Sequence, residues 1–373
     1  MLDVVVVGLG AMGSAAVYQL ARRGLRVVGV DQFSPPHQLG STHGRTRIIR
    51  EAYFEHPSYV PIVQRAYELW HELERESGRE LLITTGGLMI GAEHCELVAG
   101  ARRSAEQHGL AYEMLSAAEV RRRYPALVPA SGMVALLEPR AGILLPELCV
   151  GAYLDLARAA GAELRTNERV LEWKANETRA VVRTTAGTYE AGQLVLAAGP
   201  WLPGLLERAP QLAVERQLFH WYEPRDHREW FAPGAMPISL WEDEQHRIFA
   251  AFADLGDGVK FGIHHEGEIT TPDTVNRQVT TADDEMMGAL VRRFMPSALG
   301  TLRESRVCLY TNTPDHNFII DRDPSGALIV SPCSGHGFKF ASAIGEIVAD
   351  LVMKRESRFD LSLFSADRAA LLG

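Results

Sequence analysis

The sequence is poor in cysteine and has no closely spaced cysteine pair. Its four cysteines, Cys95, Cys149, Cys308 and Cys333, show no Cys-x-x-Cys spacing. A disulfide framework or a structural zinc site would require several cysteines or histidines at short, repeated spacings. We therefore predict no metal site, and we expect ordinary buried thiols at every position except Cys308, whose surroundings differ.

The chain also lacks a long apolar run and an excess of positive charge. No stretch approaches the roughly 20 apolar residues of a membrane-spanning helix. The strand-like LDVVVVG begins at the second residue, so we expect no targeting segment before it. The 373 residues carry a formal net charge of −9, which would repel a nucleic acid backbone. We expect a cytoplasmic protein of two domains with neither membrane nor nucleic acid as a partner.

A glycine-rich turn follows the first predicted strand. Four valines at 4–7 lead into Gly8-Leu9-Gly10-Ala11-Met12-Gly13 and then into a helix-compatible stretch. Gly8 permits the tight turn, Gly10 lets a pyrophosphate approach the helix N-terminus, and Gly13 lets helix and strand pack closely. A second strand ends at Asp31, where a carboxylate can bind ribose hydroxyls. The pattern predicts a dinucleotide site for FAD or NAD, whereas Asp31 would repel the additional phosphate of NADP.

The rest of the chain alternates between helical and strand-like segments. Apolar spacing predicts a core helix in HPSYVPIVQRAYELWHELERESG, alternation at 214–310 predicts an antiparallel sheet, and the chain closes with a buried strand, a Gly-rich turn and a long helix. We predict an α/β (α+β) fold with a Rossmann-like dinucleotide-binding domain, for FAD or NAD, and a second, mainly antiparallel-sheet substrate domain. The predicted ranges are 1–85, 146–213 and 311–373 for the first domain and 86–145 and 214–310 for the second.

Four separated segments carry a more specific signal. They are the glycine triplet with Asp31, GSTHGRTRIIREAY at 40–53, CLYTNTPDHNFIID at 308–321, and SGHGFKFASAIGE at 334–346. Together they resemble the monomeric sarcosine oxidase and N-methyltryptophan oxidase family of amine-oxidising flavoproteins, within the D-amino acid oxidase superfamily. The resemblance spans essentially the whole chain and implies FAD as the cofactor and a monomeric enzyme.

The resemblance implies an FAD site assembled from distant parts of the chain. In the family, the cysteine that opens the Cys-x-Tyr segment is bonded through sulfur to the flavin ring, and Cys308 is the matching residue; the alternative is a buried strand cysteine. The Gly-rich turn at 334–337 is expected to direct free N–H groups at negative charge on the flavin. Besides Gly8, Gly10, Gly13 and Asp31, the implied cofactor-binding residues are Met12, Ser41, Thr42, Arg47, Val170, Gly199, Trp201, Cys308, Gly335, His336, Gly337, Phe338 and Lys339.

The resemblance also implies which residues bind the substrate. Lys339 matches the family lysine that holds the substrate carboxylate, with Arg50 as its partner. Two cations on one carboxylate would orient the amine against the flavin. Tyr310 is expected to contribute to the same site.

Three further matches concern catalysis. Lys260 matches the lysine that the family uses to activate oxygen, where a cation stabilises nascent superoxide. Arg47 matches an arginine near the flavin, and His264 matches an active-site histidine. We therefore expect Lys260, Arg47 and His264 to act in catalysis.

Some positions depart from the family pattern. Arg45 stands where better-known members carry Asp, and Thr42 replaces the first of their paired histidines. Where sarcosine-type members have Tyr-Gly-Phe in the pocket, this chain aligns Phe249, Ala250 and Ala251. We expect Phe249 and Ala251 to line the substrate pocket, and the loss of aromatic bulk to admit a substrate larger than sarcosine.

The predicted activity is FAD-dependent oxidation of the C–N bond of an N-methyl or other secondary or tertiary amino acid. Hydride transfer gives an imine, water hydrolyses it to an aldehyde and an amine, and O2 is reduced to H2O2. Three alternatives remain open: a dehydrogenase with a different electron acceptor, a flavin-binding subunit without turnover, and an NAD-dependent dehydrogenase. The last explains neither the Cys308 segment nor the final Gly-rich turn.

Overall fold

The computed structural model describes residues 1–206 and 211–372. Its helices begin and end where local sequence signals place them. The left-handed Gly78 closes the helix with the apolar stripe, and reciprocal Ser116–Glu119 and Thr280–Asp283 capping boxes open two others. The helices are α1 Ala11–Arg22, α2 Val60–Ser77, α3 Glu96–His108, α4 Ala117–Arg123, α5 Pro146–Ala159, α6 Thr281–Phe294, α7 Ala341–Lys354 and α8 Ala369–Leu372.

Strands form three sheets in the described part of the chain. Short apolar or alternating segments bounded by turn residues account for most of them. The strands are β1 Leu2–Val7, β2 Val27–Val30, β3 Arg47–Ile49, β4 Leu82–Thr84, β5 Gly87–Ala92, β6 Glu113–Ser116, β7 Met133–Glu138, β8 Gly142–Leu144, β9 Glu163–Arg165, β10 Val170–Ala175, β11 Ala180–Thr184, β12 Thr188–Leu196, β13 Ala213–Tyr222, β14 Ile238–Glu242, β15 Ile248–Phe252, β16 Val259–His264, β17 Ile269–Thr270, β18 Leu302–Asn312, β19 Ile319–Arg322 and β20 Leu328–Ser331.

The first sheet is a largely parallel sheet around β1. Its main order is β10-β11-β12-β1-β2-β9, with β20 on β12 and β19 on β20. The pairs β1–β2, β1–β12, β2–β9 and β12–β20 are parallel. A central parallel strand is buried on both faces, which explains the four consecutive valines of β1. Helices α1, α5 and α7 pack together over one face, and α2 packs on α7.

The second sheet is mainly antiparallel. Its order is β17-β13-β16-β15-β14-β5-β7-β6, with β18 also paired to β13, and the β5–β14 pair is parallel. Its core includes Trp241, Phe249, Phe261 and Phe294, the last of them from α6. The predicted α/β fold is confirmed, with one largely parallel and one mainly antiparallel sheet.

A small third sheet lies beside the other two. It has the order β3-β8-β4 and places Arg47 and Ile49 next to Leu144 and Gly142. Two of its strands fall in the predicted FAD-binding domain and the third in the predicted substrate domain, so this sheet crosses the predicted boundary. The domain ranges themselves stay a prediction.

Within residues 1–206 and 211–372, no helix combines the length and apolar character needed to cross a membrane.

Candidate active site

The glycine-rich turn forms one end of a deep cavity. Gly8 and Gly10 line it. Gly8 has a φ of +93°, and a Cβ at this position would clash with the Ala197 carbonyl oxygen at 2.4 Å. A Cβ on Gly13 would lie 1.7 Å from the Gly8 carbonyl oxygen, so Gly13 is a packing residue and does not itself line the cavity. Beside Gly10 the nearest atom to a Cβ is the Thr42 hydroxyl at 3.5 Å. The backbone at Gly10 is therefore open to a ligand.

Asp31 follows β2 and lines the same end of the cavity. Its Oδ2 accepts a hydrogen bond from Leu9 N at 2.8 Å, and its Oδ1 accepts one from Phe33 N at 2.8 Å. Burial raises the pKa of this carboxyl, and the two N–H groups oppose that shift. Each carboxylate oxygen retains a lone pair that can accept from a hydroxyl.

The cavity connects both ends of the predicted cofactor site. Trp201 closes one side, with its indole N–H donating to Asp273 at 3.0 Å. Ser41 Oγ and Thr311 Oγ1 are buried polar atoms for which the described residues offer no hydrogen-bond partner, so a ligand can supply one. The further predicted cofactor residues that line the cavity are Met12, Ser41, Thr42, Arg47, Val170, Gly199, Trp201, Gly335, His336, Gly337, Phe338 and Lys339.

The Gly-rich turn forms the opposite end. Ser334 and Gly335 both have positive φ, at +49° and +78°. A Cβ on Gly335 would lie 2.4 Å from His264 Cε1 and 2.5 Å from Tyr310 Cε2, so only glycine fits between these side chains. A 3-10 turn, Phe338–Phe340, separates this Gly-rich turn from α7.

Lys339 is a buried cation in this turn. Its side chain is 5 % exposed, and Nζ donates to the His336 carbonyl at 2.7 Å and to the Tyr53 hydroxyl at 3.4 Å. Burial lowers the pKa of Lys339 to about 7, and the charge of Arg50 adds to the shift. The described residues place no carboxylate within salt-bridge distance of Nζ, so this cation has room for an anionic partner.

Arg50 lines the cavity beside Lys339 but already has a partner. Its Nη2 donates to both carboxylate oxygens of Glu55 at 2.7 Å, and Nη1 donates to the Ala52 carbonyl at 3.0 Å. The guanidinium also lies over the Tyr53 ring, 4.3 Å from its centroid. Sequence reasoning missed Glu55, whose only signal is its position five residues after Arg50. The predicted two-cation site therefore contains a carboxylate that offsets one of the charges.

Lys260 occupies another part of the wall. Its Nζ donates to Gly44 O at 2.7 Å, to Thr46 O at 2.8 Å and to Thr46 Oγ1 at 3.1 Å. The ammonium also lies 4.0 Å from the centroid of the Phe219 ring. Burial lowers the pKa of Lys260 well below its ordinary value, and Arg47 adds to the shift.

Arg47 links this wall to Cys308. Its guanidinium donates to Thr46 O and Ser41 O, each at 2.8 Å, and Nη2 lies 3.8 Å from Cys308 Sγ. Cys308 is 1 % exposed and packs with Phe219, one layer behind the residues that line the cavity. Burial raises the pKa of its thiol, opposed by Arg47.

A second cysteine was not predicted at this site. Cys333 precedes the Gly-rich turn and lines the cavity directly. Burial raises the pKa of its thiol as well. Neither cysteine has the lowered thiol pKa that marks a reactive thiolate before a ligand binds.

His264 and Tyr310 face each other across the cavity wall. His264 Nδ1 lies 3.0 Å from the Tyr310 hydroxyl, and both residues line the cavity. Burial lowers the pKa of His264 well below its ordinary value, and the neighbouring His265 adds to the shift. His264 is therefore a neutral imidazole near pH 7, and Tyr310, whose pKa burial raises, is a neutral phenol.

The expectation for Phe249 and Ala251 is wrong. Both lie in β15, where side chains alternate between two faces, and both point into the core of the second sheet, where Phe249 stacks 5.7 Å from Trp241. The cavity is lined instead by Ile248, Ala250 and Phe252 from the opposite face of β15. The match to the family pattern identified the right strand. Because side chains alternate along a strand, the neighbouring residues are the ones that face the cavity.

Leu240 and Phe54 complete this apolar part of the wall, and neither was predicted. Phe54 packs against the Arg50 guanidinium, 4.7 Å from its ring centroid. Ala250 is the smallest of these side chains, and we call the apolar wall around it, in the same cavity as Lys339 and Arg50, the apolar recess.

No group of three or more His, Cys, Asp or Glu side chains suited to a metal ion occurs in the described ranges.

Comparisons with known proteins agree with this geometry. Residues 3–351 match the family of FAD dependent oxidoreductases (DAO). The chain is 41% identical to monomeric sarcosine oxidase of Streptomyces avermitilis, covering 99% of this chain and 98% of that protein. It is 34% identical to N-methyl-L-tryptophan oxidase of Yersinia pestis (strain Pestoides F), covering 98% and 99%.

Solved structures share the fold. NikD, an unusual amino acid oxidase essential for nikkomycin biosynthesis, superposes with a TM-score of 0.86 at 24% identity, covering 98% of this chain and 97% of that one. Glycine oxidase from Geobacillus kaustophilus superposes with a TM-score of 0.80 at 21% identity, covering 98% of each chain. On the match over residues 3–351 and the full-length relatives, this chain belongs to the family of FAD dependent oxidoreductases.

Proposed function

We propose that this enzyme oxidises the C–N bond of an N-methyl or other secondary or tertiary amino acid, with FAD as cofactor and O2 as the final electron acceptor. The observation that carries the proposal is the placement of two buried cations, Lys339 and Arg50, in the same cavity as the glycine cradle. An amino acid carboxylate bound there would hold its nitrogen inside the cofactor cavity. The relatives named sarcosine oxidase and N-methyl-L-tryptophan oxidase support the same substrate class.

The residues present fit FAD. The open backbone at Gly10 suits a pyrophosphate, Asp31 suits ribose hydroxyls, and the unpartnered Ser41 Oγ offers a further polar contact. When bound, FAD supplies the acceptor for the hydride that leaves the carbon next to nitrogen. The protein supplies the orientation of the substrate and the charge around it.

Lys339 is the primary ligand proposed for the substrate carboxylate. Its Nζ donates to the His336 carbonyl and, over a longer 3.4 Å, to the Tyr53 hydroxyl, so the third N–H of the ammonium remains for an anion. Arg50 contributes through Nε, a buried donor without a partner among the described residues, while Glu55 keeps its Nη2 occupied. A carboxylate therefore meets a local charge close to one positive unit rather than two.

His264 is proposed to contact the substrate amine. Its Nδ1 is engaged with Tyr310, so Nε2 is the ring atom available to the ligand. A neutral imidazole does not repel the amine and can hydrogen-bond to it, and it is the neutral amine that has the free lone pair needed for oxidation. The imine that forms is hydrolysed by water to an aldehyde and a shortened amine.

The apolar recess supports a substrate bulkier than sarcosine. This part of the cavity offers no charged group to a substrate side chain, and it is bordered by Phe54, Leu240, Ile248, Ala250 and Phe252. An apolar side chain on the α-carbon would fill this recess, and each methylene that it buries there contributes about 0.8 kcal/mol.

The proposal is tested by mixing purified enzyme with amines in the absence of oxygen and then adding O2. We expect N-methyl-phenylalanine or N-methyl-tryptophan to bleach the visible absorbance of the oxidised flavin, and O2 then to restore it with one H2O2 per turnover. Equal or faster bleaching with sarcosine would refute the larger substrate. Flavin bleaching without peroxide formation would indicate a dehydrogenase that uses an electron acceptor other than O2.

We also propose that FAD is attached covalently through Cys308. The support is its Sγ position beside Ser41 and Arg47, both of which line the cavity. Acid precipitation should leave yellow flavin in the protein pellet of the wild type and of Cys333→Ser, but release it to the supernatant from Cys308→Ser. If Cys308→Ser retained the flavin and Cys333→Ser released it, the covalent bond would belong to Cys333 and the proposal for Cys308 would be wrong. A cytoplasmic location and a monomeric state stay predictions.

A further inference from the structure

A second cleft reaches Lys260 from the protein surface. It has a volume of about 640 Å³. Leu148 and Asp257, which border it, are 47 % exposed and 55 % exposed in the side chain, so the cleft opens to solvent. We call it the Leu148 cleft; its walls are Ile83, Leu145, Leu148, Trp221, Ala253 and Leu255, and its polar edge includes Gln38, Arg45, Asp257 and Arg306.

The Leu148 cleft and the cofactor cavity share one thin wall. Lys260 and Thr46 are the residues that line both. The hydrogen bonds from Lys260 Nζ to Gly44 O and Thr46 O fix the ammonium in that wall. Lys260, which is expected to act on oxygen, thus borders a cleft on a side that the substrate is not proposed to occupy.

The opening of this cleft is held by charged groups. Arg45 pairs with Glu304 and with Asp257, and its guanidinium lies 5.0 Å from the centroid of the Trp221 ring. Glu147 Oε1 accepts from Gly44 N at 2.8 Å and from Arg45 N at 3.1 Å, which ties the same loop to the start of α5. These contacts keep the mouth ordered while the interior stays apolar.

We propose that the Leu148 cleft is the route by which dioxygen reaches Lys260 and hydrogen peroxide leaves. The inference rests on the proposed oxidase function. In each turnover O2 takes up the two electrons that the amine has lost together with two protons, and it leaves as H2O2. O2 is small and uncharged and partitions into apolar space, whereas an amino acid held at Lys339 and Arg50 obstructs the other cavity.

Narrowing the cleft should therefore slow reoxidation and leave reduction by the amine unchanged. Leu148→Trp fills the mouth from α5, and Leu255→Phe fills it from the opposite wall. Met353→Trp is the matched control, because Met353 is 49 % exposed, much like Leu148, and lies on α7 away from this cleft. Stopped-flow absorbance gives the anaerobic reduction rate and, after mixing reduced enzyme with O2, the second-order reoxidation rate constant.

The expected result is a decrease of about tenfold in the reoxidation rate constant for both cleft variants, since access governs a bimolecular rate. The reduction rate should match that of the wild type and of Met353→Trp. Unchanged reoxidation in both cleft variants, or an equal slowing of reduction and reoxidation, would overturn the proposal.

A readout independent of turnover is xenon binding. Crystals of the holoenzyme pressurised with xenon should show the gas between Leu145 and Trp221 in the wild type, and none there in Leu148→Trp. Xenon confined to the cofactor cavity would count against the route.

The experiments distinguish failure of the proposed oxidase function from failure of the proposed oxygen route. Wild-type enzyme that is not reduced by any amine would remove the proposed function. Wild-type enzyme that is reduced but not reoxidised by O2 would remove the oxidase and the route together. Normal wild-type kinetics with insensitive cleft variants would remove the route alone.

Discussion

Replacing Lys339 by methionine should stabilise the protein while removing its ability to bind a carboxylate. The lysine is buried, its Nζ lacks an anionic partner in the described residues, and its pKa falls from an ordinary 10.5 to about 7. The unfolded chain carries the charge at no such cost. The buried charge therefore lowers the free energy of unfolding of the substrate-free protein, because its anionic partner binds only with the substrate.

The direction in which stability changes with pH follows from proton linkage. Because the folded pKa lies below the unfolded pKa, the unfolded chain binds more protons between about pH 7 and 10.5, and the stability of the wild type rises with pH across that window. The cost of Lys339 is about 5 kcal/mol at pH 6 and about 2 kcal/mol at pH 9 from these two pKa values. Loss of the contacts to His336 O and Tyr53 offsets about 1–3 kcal/mol in the variant. Lys339→Met should thus be more stable by about 2–4 kcal/mol at pH 6 and nearly equal at pH 9.

Urea denaturation of substrate-free protein at pH 6 and pH 9, with matched cofactor content, measures this difference. Lys174→Met is the control, because Lys174 is exposed on β10 and its replacement should give the same small difference at both pH values. The reductive kcat/KM of Lys339→Met should fall by about 10- to 100-fold. A stability difference that does not change between pH 6 and pH 9 would refute the reasoning.

Three further outcomes are expected. Ala250→Phe should fill the apolar recess and lower kcat/KM for N-methyl-phenylalanine by about tenfold relative to sarcosine in steady-state assays, whereas Ala250→Ser should keep the wild-type ratio. Phe249→Ala should cost about 3–5 kcal/mol in thermal or urea unfolding while leaving that ratio unchanged, and a changed ratio would return Phe249 to the pocket. Gly335→Ala should abolish flavin retention, because its Cβ would collide with His264 and Tyr310; a variant with full flavin content would contradict the geometry.

Local patterns predicted the parts of the fold that local physics determines. The glycine turn after β1 must accommodate positive φ at Gly8 and close packing at Gly13, and both demands leave glycines at set spacings. Alternation predicted the strands at 248–264, and the apolar stripe predicted α2. The family resemblance then placed residues from distant segments in one site, which no local pattern could do.

The orientation of side chains in β15 and the ion pair between Arg50 and Glu55 were harder to predict from the sequence. Phe249 and Ala251 were assigned to the pocket by their match to the family pattern, but in a strand a shift of one residue exchanges the two faces, and both residues lie on the core face. Glu55 was missed because nothing in an Arg-x-x-x-x-Glu spacing distinguishes a buried ion pair from two solvated charges. The Leu148 cleft brings together residues from α5, β13 and the loop after β15, a combination that only the packed sheets create.

The charges around the cavity explain why Lys339 and Arg50 are not equivalent. Glu55 compensates Arg50 permanently through two 2.7 Å contacts, so that the guanidinium serves as a fixed part of the wall. Lys339 donates only to neutral acceptors, His336 O and Tyr53, and burial lowers its pKa to about 7, so that it is only partly protonated near pH 7. A carboxylate arriving beside Nζ would raise that pKa again and draw a proton onto the lysine. Positive charge at this site thus forms most fully when an anion is present, which favours an amino acid over a neutral amine of the same shape.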